Sequence, residues 1–375
     1  IQPNSVILTS VMAALGWAGR PQDAHDLLLQ TLDKYEHQMA LLMVDVDSDN
    51  EEPKSITTQE SSRQLLQQHV CKPDTVAFSA VMDGWVKNYN YNYNNGDHNN
   101  NDSNNTETNH SNVSCQRVLE LLALMQDYQR QGHDDMAPNA QTYTSVLAAL
   151  ARSRTWDACI QAQDLLDDIP GGPTVIHYNV VLDAFVKSPR ADKARYAKAL
   201  LQEMIDAGVQ PDIISYNSVI GACANSFGDV ELKQEALQTA MAAFQKVNSN
   251  SDHPNLKPTS HTFSLMMKAI RKLVAVEAGA EGDEQSQQKQ PQTQTDKKNM
   301  RHILLGKIFR LCCKKGLLNE AIWQQMKNAV PEYEEELWGE LLLGDAVTYR
   351  PDLTVSDLPN AWKTNASKTA RYTNN

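Results

Sequence analysis

The stretch PDIISYNSVIGACAN, Pro211–Asn225, decides how this chain is read. A proline ends one element. Five positions later the aromatic Tyr216 is followed at once by the small polar Asn217, and an apolar stripe continues through Val219 and Ile220. The same tag recurs. Pro3 leads to Leu8-Thr9, Pro73 to Phe78-Ser79, Pro138 to Tyr143-Thr144, Pro173 to Tyr178-Asn179 and Pro258 to Phe263-Ser264. The first copy carries leucine at the aromatic place. Recurrence at one offset marks an array of repeats, to be sought before any single-domain fold.

Counted from the second residue after each proline, the units open at Ser5, Thr75, Ala140, Val175, Ile213 and Ser260, and the shortest gap is 35 residues. The other gaps are that unit with insertions, and a period of roughly 20 to 50 residues is that of a solenoid or similar array. The unit 140–174 is the clearest. Tyr143, Val146, Leu147 and Leu150 fall on one helix face. Arg152 and Ser153 interrupt. Trp156, Cys159, Ile160, Gln163, Leu165 and Leu166 read as a second, shorter amphipathic helix, which Pro170-Gly171-Gly172-Pro173 stops. One such hairpin cannot bury both apolar faces, but stacked neighbours can.

Two repeat families are near this length. The early W-x2-L-G-x2-Y pattern of the tetratricopeptide repeat is not found. The tags PDTVAFSAVMDGWVK (Pro73–Lys87), PNAQTYTSVLAALARS (Pro138–Ser153), PTVIHYNVVLDAFVKS (Pro173–Ser188) and PDIISYNSVIGACANS (Pro211–Ser226) instead resemble pentatricopeptide repeats. ALLQEMIDAGVQPD (Ala199–Asp212) is similar to the second half of that repeat and its junction with the next. The resemblance runs from about Ile1 to Gly316, insertions excepted. It implies an all-α fold, a right-handed α-solenoid of stacked helix-turn-helix units. The expected units are 5–74, 75–139, 140–174, 175–212, 213–259 and 260–316, followed by a helical cap and irregular tail over 317–375.

Along the chain, a second helix is expected near Gln22–Met39. Met43–Glu60 turns acidic, loses periodicity and reads as a disordered or loosely helical insertion, and helicity is expected again at Ser61–His69. Asn88–Asn112 is Asn-rich and Gly279–Lys298 Gln-rich, and both are too polar to order themselves by burial. The Asn-x-Ser/Thr matches at Asn104 and Asn112 are the kind Asn-rich filler produces freely. Further helices are expected near Cys115–Arg130, Glu231–Val247, Ser260–Val274 and Met300–Lys315, with Asn248–Leu256 as a spacer. Helical pieces near Leu318–Ala329 and Glu332–Leu343 are expected to cap the array, and Asp357–Asn375 to be irregular, docking through Trp362. Residue 1 is Ile and stands directly before the first tag, so a fragment or processed chain is expected. No run of ~18 apolar residues is present, so no membrane insertion is expected.

The formal net charge is −12, which argues at first sight against nucleic acid. The negative charge gathers in the insertions and the tail. Asp33–Glu60, for example, holds eight acids against two bases, which leaves the repeat body mildly basic. Binding to phosphates is therefore expected to be weaker and less salt-dependent than for a basic module. The six cysteines, Cys71, Cys115, Cys159, Cys223, Cys312 and Cys313, form no C-x-x-C pair and read as reduced, small apolar residues. Cys312 and Cys313, being adjacent, point to different helix faces, so no shared metal is expected there.

No Walker loop, G-x-G-x-x-G, H-E-x-x-H or G-x-S-x-G motif is found, nor the zinc-deaminase signature. Glu334, Glu335, Glu336 and Glu340 fan around a helix and read as a solvated face. No catalytic site, metal or cofactor is expected.

The small polar residues after the aromatics, Thr9, Ser79, Thr144, Asn179, Asn217 and Ser264, recur at one offset. By themselves they fit helix capping. Stacked along one groove, their hydroxyls and amides can face base edges of single-stranded RNA, one base per repeat. The family resemblance implies that each acts with the last residue of its unit. The pairs are Thr9 with Asp74, Ser79 with Asn139, Thr144 with Thr174, Asn179 with Asp212, and Asn217 with Thr259. By the family's pattern the first, second and fourth imply guanine, adenine and uracil, and the last a pyrimidine. Thr144 with Thr174 matches no well-populated pair. The resemblance also implies that Val6, Val76, Ile176 and Ile214 pack on base faces, a role that Gln141 and His261 do not match. The implied site is G-A-N-U-Y. Single-stranded RNA is thus the expected partner, with other ribonucleoprotein components beside it, the chain a monomer and the compartment a mitochondrion or plastid. A protein-binding α-solenoid is the alternative.

Overall fold

The computed structural model describes residues 4–47, 71–95, 103–249, 254–274, 291–330, 338, 342 and 352–365. Among these residues the regular elements are all helices: α1 Ser5–Trp17, α2 Pro21–Asp47, α3 Thr75–Asn95, α4 Ser103–Arg130, α5 Ala140–Ser153, α6 Trp156–Asp164, α7 Val175–Lys187, α8 Lys193–Asp206, α9 Ile213–Ala224, α10 Val230–Ser249, α11 Ser260–Leu273, α12 Pro291–Lys314 and α13 Glu320–Lys327, with short 3-10 turns. The expected all-α fold of stacked helix-turn-helix hairpins is what is found.

The recurring tag is a helix start. The proline stands one residue before the N-cap, where its fixed φ keeps the backbone out of the helix. The next residue caps. Asn4, Asn139, Asp212 and Thr259 each accept a backbone N–H of the first turn. Three residues on, Thr142, Ser215 and Thr262 complete capping boxes with Asn139, Asp212 and Thr259. The aromatic one residue later is a core anchor: Phe78, Tyr143, Tyr178, Tyr216 and Phe263 are all buried.

The chain divides into two compact units, Ile1–Val180 and Val181–Asn375. In the first, α1, α3 and α5 pack side by side, α2 and α4 cover them as the second helices of their hairpins, and α6 folds back on α5. Leu28, Phe78, Met82, Leu121, Met125 and Met136 fill the interior. Gly16 and Gly84 bring α1 and α3 unusually close: a Cβ added to Gly16 would lie 2.8 Å from the Gly84 Cα. Buried Trp85 on α3 donates from its Nε1 to Nδ1 of buried His25 on α2, at 3.3 Å. In the second unit α9 packs on α8, α10 and α11, and α11 on α10, α12 and α13. Phe244 and Phe263 meet edge to face at 5.4 Å between ring centres.

Two expectations about the insertions, the Asn-rich and the Gln-rich, are corrected. The Asn-rich segment is not wholly irregular, because α3 continues to Asn95 and α4 begins at Ser103. Helix α12 likewise begins at Pro291, inside the Gln-rich stretch. Helix α2 runs to Asp47, into the acidic stretch. A helix nucleated on packed residues propagates at little cost into polar sequence, since each added residue makes one backbone bond. Proline is well suited to the first helical position of α12. The helix expected over Ser61–His69 lies outside the described residues, and so does Glu332–Leu343 apart from Trp338 and Leu342.

The first helices of successive hairpins bury the same face. The seventh residue of the helix is Val81, Val146, Val181, Val219 or Met266, each essentially shielded from solvent. In α1 the equivalent residue, Val11, is 42% exposed, and Ile7 on the same face is 51% exposed.

Candidate nucleic-acid interface

In each first helix the second and fifth residues stand three apart, so they are neighbours on one face. The second residue is exposed in every case: Val6, Val76 and Ile176 in the first unit and Ile214 in the second are 56–69% exposed, although all are β-branched apolar side chains. Gln141 and His261 at the same register are exposed too. The fifth residues, Thr9, Ser79, Thr144, Asn179, Asn217 and Ser264, are all half-buried. Each first helix therefore presents a bare platform beside a recessed polar group.

The capping role expected for the fifth residues belongs elsewhere. They stand one turn into the helix, past the unpaired N–H groups. Thr9 donates to the Ser5 carbonyl at 2.8 Å and Thr144 to the Ala140 carbonyl at 2.9 Å. Ser79 Oγ lies 3.3 Å from Thr142 Oγ1. Ser264 accepts from Gln325 Nε2 at 2.7 Å. The Asn217 side-chain oxygen is buried with no hydrogen-bond partner among the described residues.

The last residues of the units do the capping. Asp74 accepts from the Ala77 N–H at 2.9 Å, Asn139 from Thr142 at 2.9 Å, and Asp212 from both Ile214 and Ser215 at 2.9 Å. Thr259 Oγ1 accepts from Thr262 at 3.3 Å. Thr174 differs: its N–H donates to His177 Nδ1 at 3.0 Å. Thr174 apart, these residues are fixed at helix starts with the cap bond already made.

A further recurrence was missed in the sequence. The thirteenth residue counted from each unit's start is basic in four of the six, Lys87, Arg152, Lys187 and Lys272, and is Trp17 and Asn225 in the other two; it stands three turns along the face of the second residue. Extending the tag by eight positions past the small polar residue would have found it. Lys87 Nζ lies over the Trp17 ring at 5.1 Å from its centre, and Trp17 is 78% exposed. Lys187 pairs with Asp183 one turn back.

The thiols carry no activated chemistry. Burial pushes Cys115 up to about 11 and Cys223 and Cys313 up to about 12, and Cys312 moves the same way for the same reason. Among the described residues no cluster of His, Cys, Asp and Glu suits a metal, and no helix is long and apolar enough to cross a membrane.

Family models match two adjoining stretches: a pentatricopeptide repeat domain over residues 123–188 and a PPR repeat family over residues 173–225. Residues 123–225 are pentatricopeptide repeats. Among curated relatives, a chloroplastic pentatricopeptide repeat-containing protein of Arabidopsis thaliana is 28% identical over 155 residues, 41% of this chain and 18% of that protein. Pentatricopeptide repeat-containing protein 10 of Zea mays, chloroplastic, is 36% identical over 85 residues, 23% of this chain and 11% of that one. The chain thus spans under a fifth of these relatives' length. A crystal structure of the pentatricopeptide repeat protein PPR10 in complex with an 18-nt psaJ RNA element aligns with 98% of this chain and 48% of that one, at 19% identity and a TM-score of 0.35.

Proposed function

We propose that this protein is a non-enzymatic, sequence-selective binder of single-stranded RNA. The observation that carries the reading is the paired placement on each first helix: an exposed second residue beside a recessed polar fifth residue. Leaving valine and isoleucine in water costs burial free energy, about 25 cal/mol per Å² of apolar surface. A base face laid on Val6, Val76, Ile176 or Ile214 recovers part of it. The neighbouring fifth residue, with the cap residue closing the unit, then meets the base edge. Lys87, Arg152, Lys187 and Lys272 lie where phosphates between the bases would run. The six units are 5–74, 75–139, 140–174, 175–212, 213–259 and 260–316, with 317–375 as cap and tail. The chain acts as a monomer on organellar transcripts, in their processing, stability or translation, alongside other ribonucleoprotein components. A plastid is favoured over a mitochondrion, because the curated relatives are named chloroplastic.

Selection from a pool of short random RNAs, at low and moderate salt, tests this. The expected result is enrichment of G-A-N-U-Y, with the uracil preference lost in Asn179→Ala. Lys87→Gln with Lys272→Gln should flatten the dependence of log affinity on log salt by about 0.7 for each phosphate no longer neutralised. Retention of no RNA at low salt sinks the reading. It would favour the second one, a peptide-binding scaffold, for which the same exposed apolar row would be the docking surface.

A further inference from the structure

The third residue of a first helix lies between the two residues proposed to read a base in the preceding repeat. For the repeat 140–174 that residue is His177, buried at 2% exposure. The Thr174 N–H donates to its Nδ1 at 3.0 Å. A backbone N–H can only donate, so Nδ1 is the acceptor and the neutral ring carries its proton on Nε2. Nε2 lies 3.0 Å from Thr144 Oγ1 and 3.1 Å from the Ala140 carbonyl oxygen. The Thr144 hydroxyl already donates to that same carbonyl at 2.9 Å. Its proton is spent on its own helix, and a lone pair faces the imidazole. Thr174 Oγ1 lies 3.2 Å from Nδ1. One buried ring therefore engages both hydroxyls of the pair.

Other repeats hold their pairs differently. In the repeat 75–139, Thr142 is at 3.3 Å from Ser79 Oγ and donates to Asn139 Oδ1 at 3.1 Å, leaving the Asn139 amide group outside that bond. In the repeat 5–74 the third-position residue is Ala77, which offers Thr9 and Asp74 no polar side-chain atom. In the repeat 213–259 the Asn217 oxygen has no partner among the described residues, although Thr262 closes the cap with Thr259. The pair whose two hydroxyls both meet one buried ring is also the one whose short side chains have least left over for a base.

We infer that His177 is a specificity-determining positioning residue. It holds recessed Thr144 and ties exposed Thr174 to the ring, so the repeat 140–174 accepts any base at the centre of the bound RNA. This rests on the RNA-binding reading above. The lock gives the chain a permissive position flanked by selective ones, set by a side chain that belongs to the next repeat.

The test uses the full chain and four RNAs that differ only at the nucleotide facing 140–174. The native protein should bind all four within about twofold, less than one net hydrogen bond. His177→Asn keeps an acceptor for the Thr174 N–H but is too short to reach Thr144. It should separate the four RNAs by about fivefold, the worth of one net hydrogen bond. The double variant His177→Asn with Thr144→Val should lose the preference gained in His177→Asn, because the hydroxyl released by the first change is removed by the second. The inference is overturned if the native chain already discriminates at that nucleotide, if His177→Asn stays as indifferent as the native chain, or if the double variant keeps the preference of His177→Asn. The first arm decides even where His177→Asn lowers stability. Asn179→Ala, read at the neighbouring nucleotide, separates the two ideas: loss of uracil preference there with any of those three results sinks only the lock, whereas binding of none of the RNAs sinks the RNA-binding reading and the lock with it.

Discussion

Helix α1 and the segment from Gly316 to Asn365 treat an apolar helix face in opposite ways. On α1, Ile7 and Val11 are left about half open to water. Beyond α12, four aromatic rings close together: Phe309, Trp323, Trp338 and Trp362, with ring centres 5.6–6.5 Å apart. Trp323 and Trp338 are fully buried. Trp323 Nε1 donates to the Leu353 carbonyl at 3.0 Å, the Leu318 N–H to the Trp362 carbonyl at 2.9 Å, and the Asn365 N–H to the Gly316 carbonyl at 2.8 Å. A non-repeating segment thus docks on the helices it follows, through Trp362 as expected. The contrast teaches that a repeat's apolar face is buried by its neighbour. Val11 and Val146 hold the same register and differ in exposure because α3 lies before α5.

That contrast can be broken from either side. The largest effect is expected at the closed cluster. Trp323→Ala removes a fully buried indole and its hydrogen bond, and should cost about 3–5 kcal/mol, seen as an earlier thermal transition of the second unit. Val146→Asp buries a carboxyl among apolar side chains and should cost about 2 kcal/mol or more. Gly16→Ala forces α1 away from α3 and should cost about 1–2 kcal/mol, measured by denaturant melting, despite alanine's better helix propensity. The smallest effect is expected for Val11→Asp, within about 0.5 kcal/mol, because its side chain already meets water. A loss at Val11 as large as that at Val146 would mean that α1 is covered in solution.

His25 sharpens the comparison through pH. Burial, and then the nearby Arg117, hold its imidazole below the ordinary value of 6.5. The unfolded chain therefore takes up a proton more readily than the folded one. Stability of the first unit should fall as pH drops below about 6.5, until the folded-state imidazole also protonates. His25→Gln, which still accepts from Trp85, should flatten that dependence. The second unit's transition should not respond to this substitution.

Much of the site's geometry was legible before folding was considered. The spacing of proline, aromatic and small polar residue places the fifth residue of each unit on the same face as the second. The residues at those positions are indeed the exposed platforms and the half-buried polar groups. What could not be read was how each pair is held. His177 looks like an ordinary tag residue in the sequence, and its bond to Thr144 joins residues 33 apart. That the last residue of a unit caps while the fifth sits one turn further in was also hidden, because threonine, serine, asparagine and aspartate suit both positions. The polar insertions misled in the opposite direction. Their composition cannot drive folding, but a helix anchored elsewhere runs into them.

The sequence by itself determined that the chain is an array of helical hairpins, where each first helix starts, and which residue types recur on its face. Those follow from local rules: a proline before the helix, a capping side chain, and apolar residues at helical spacing. Only the tertiary structure decided which faces are covered, how closely α1 and α3 approach through Gly16 and Gly84, and how each pair is held. Those depend on the element that packs alongside, often supplied by residues dozens of positions away. The local pattern is the same in α1 as in α5, and the neighbour makes the difference.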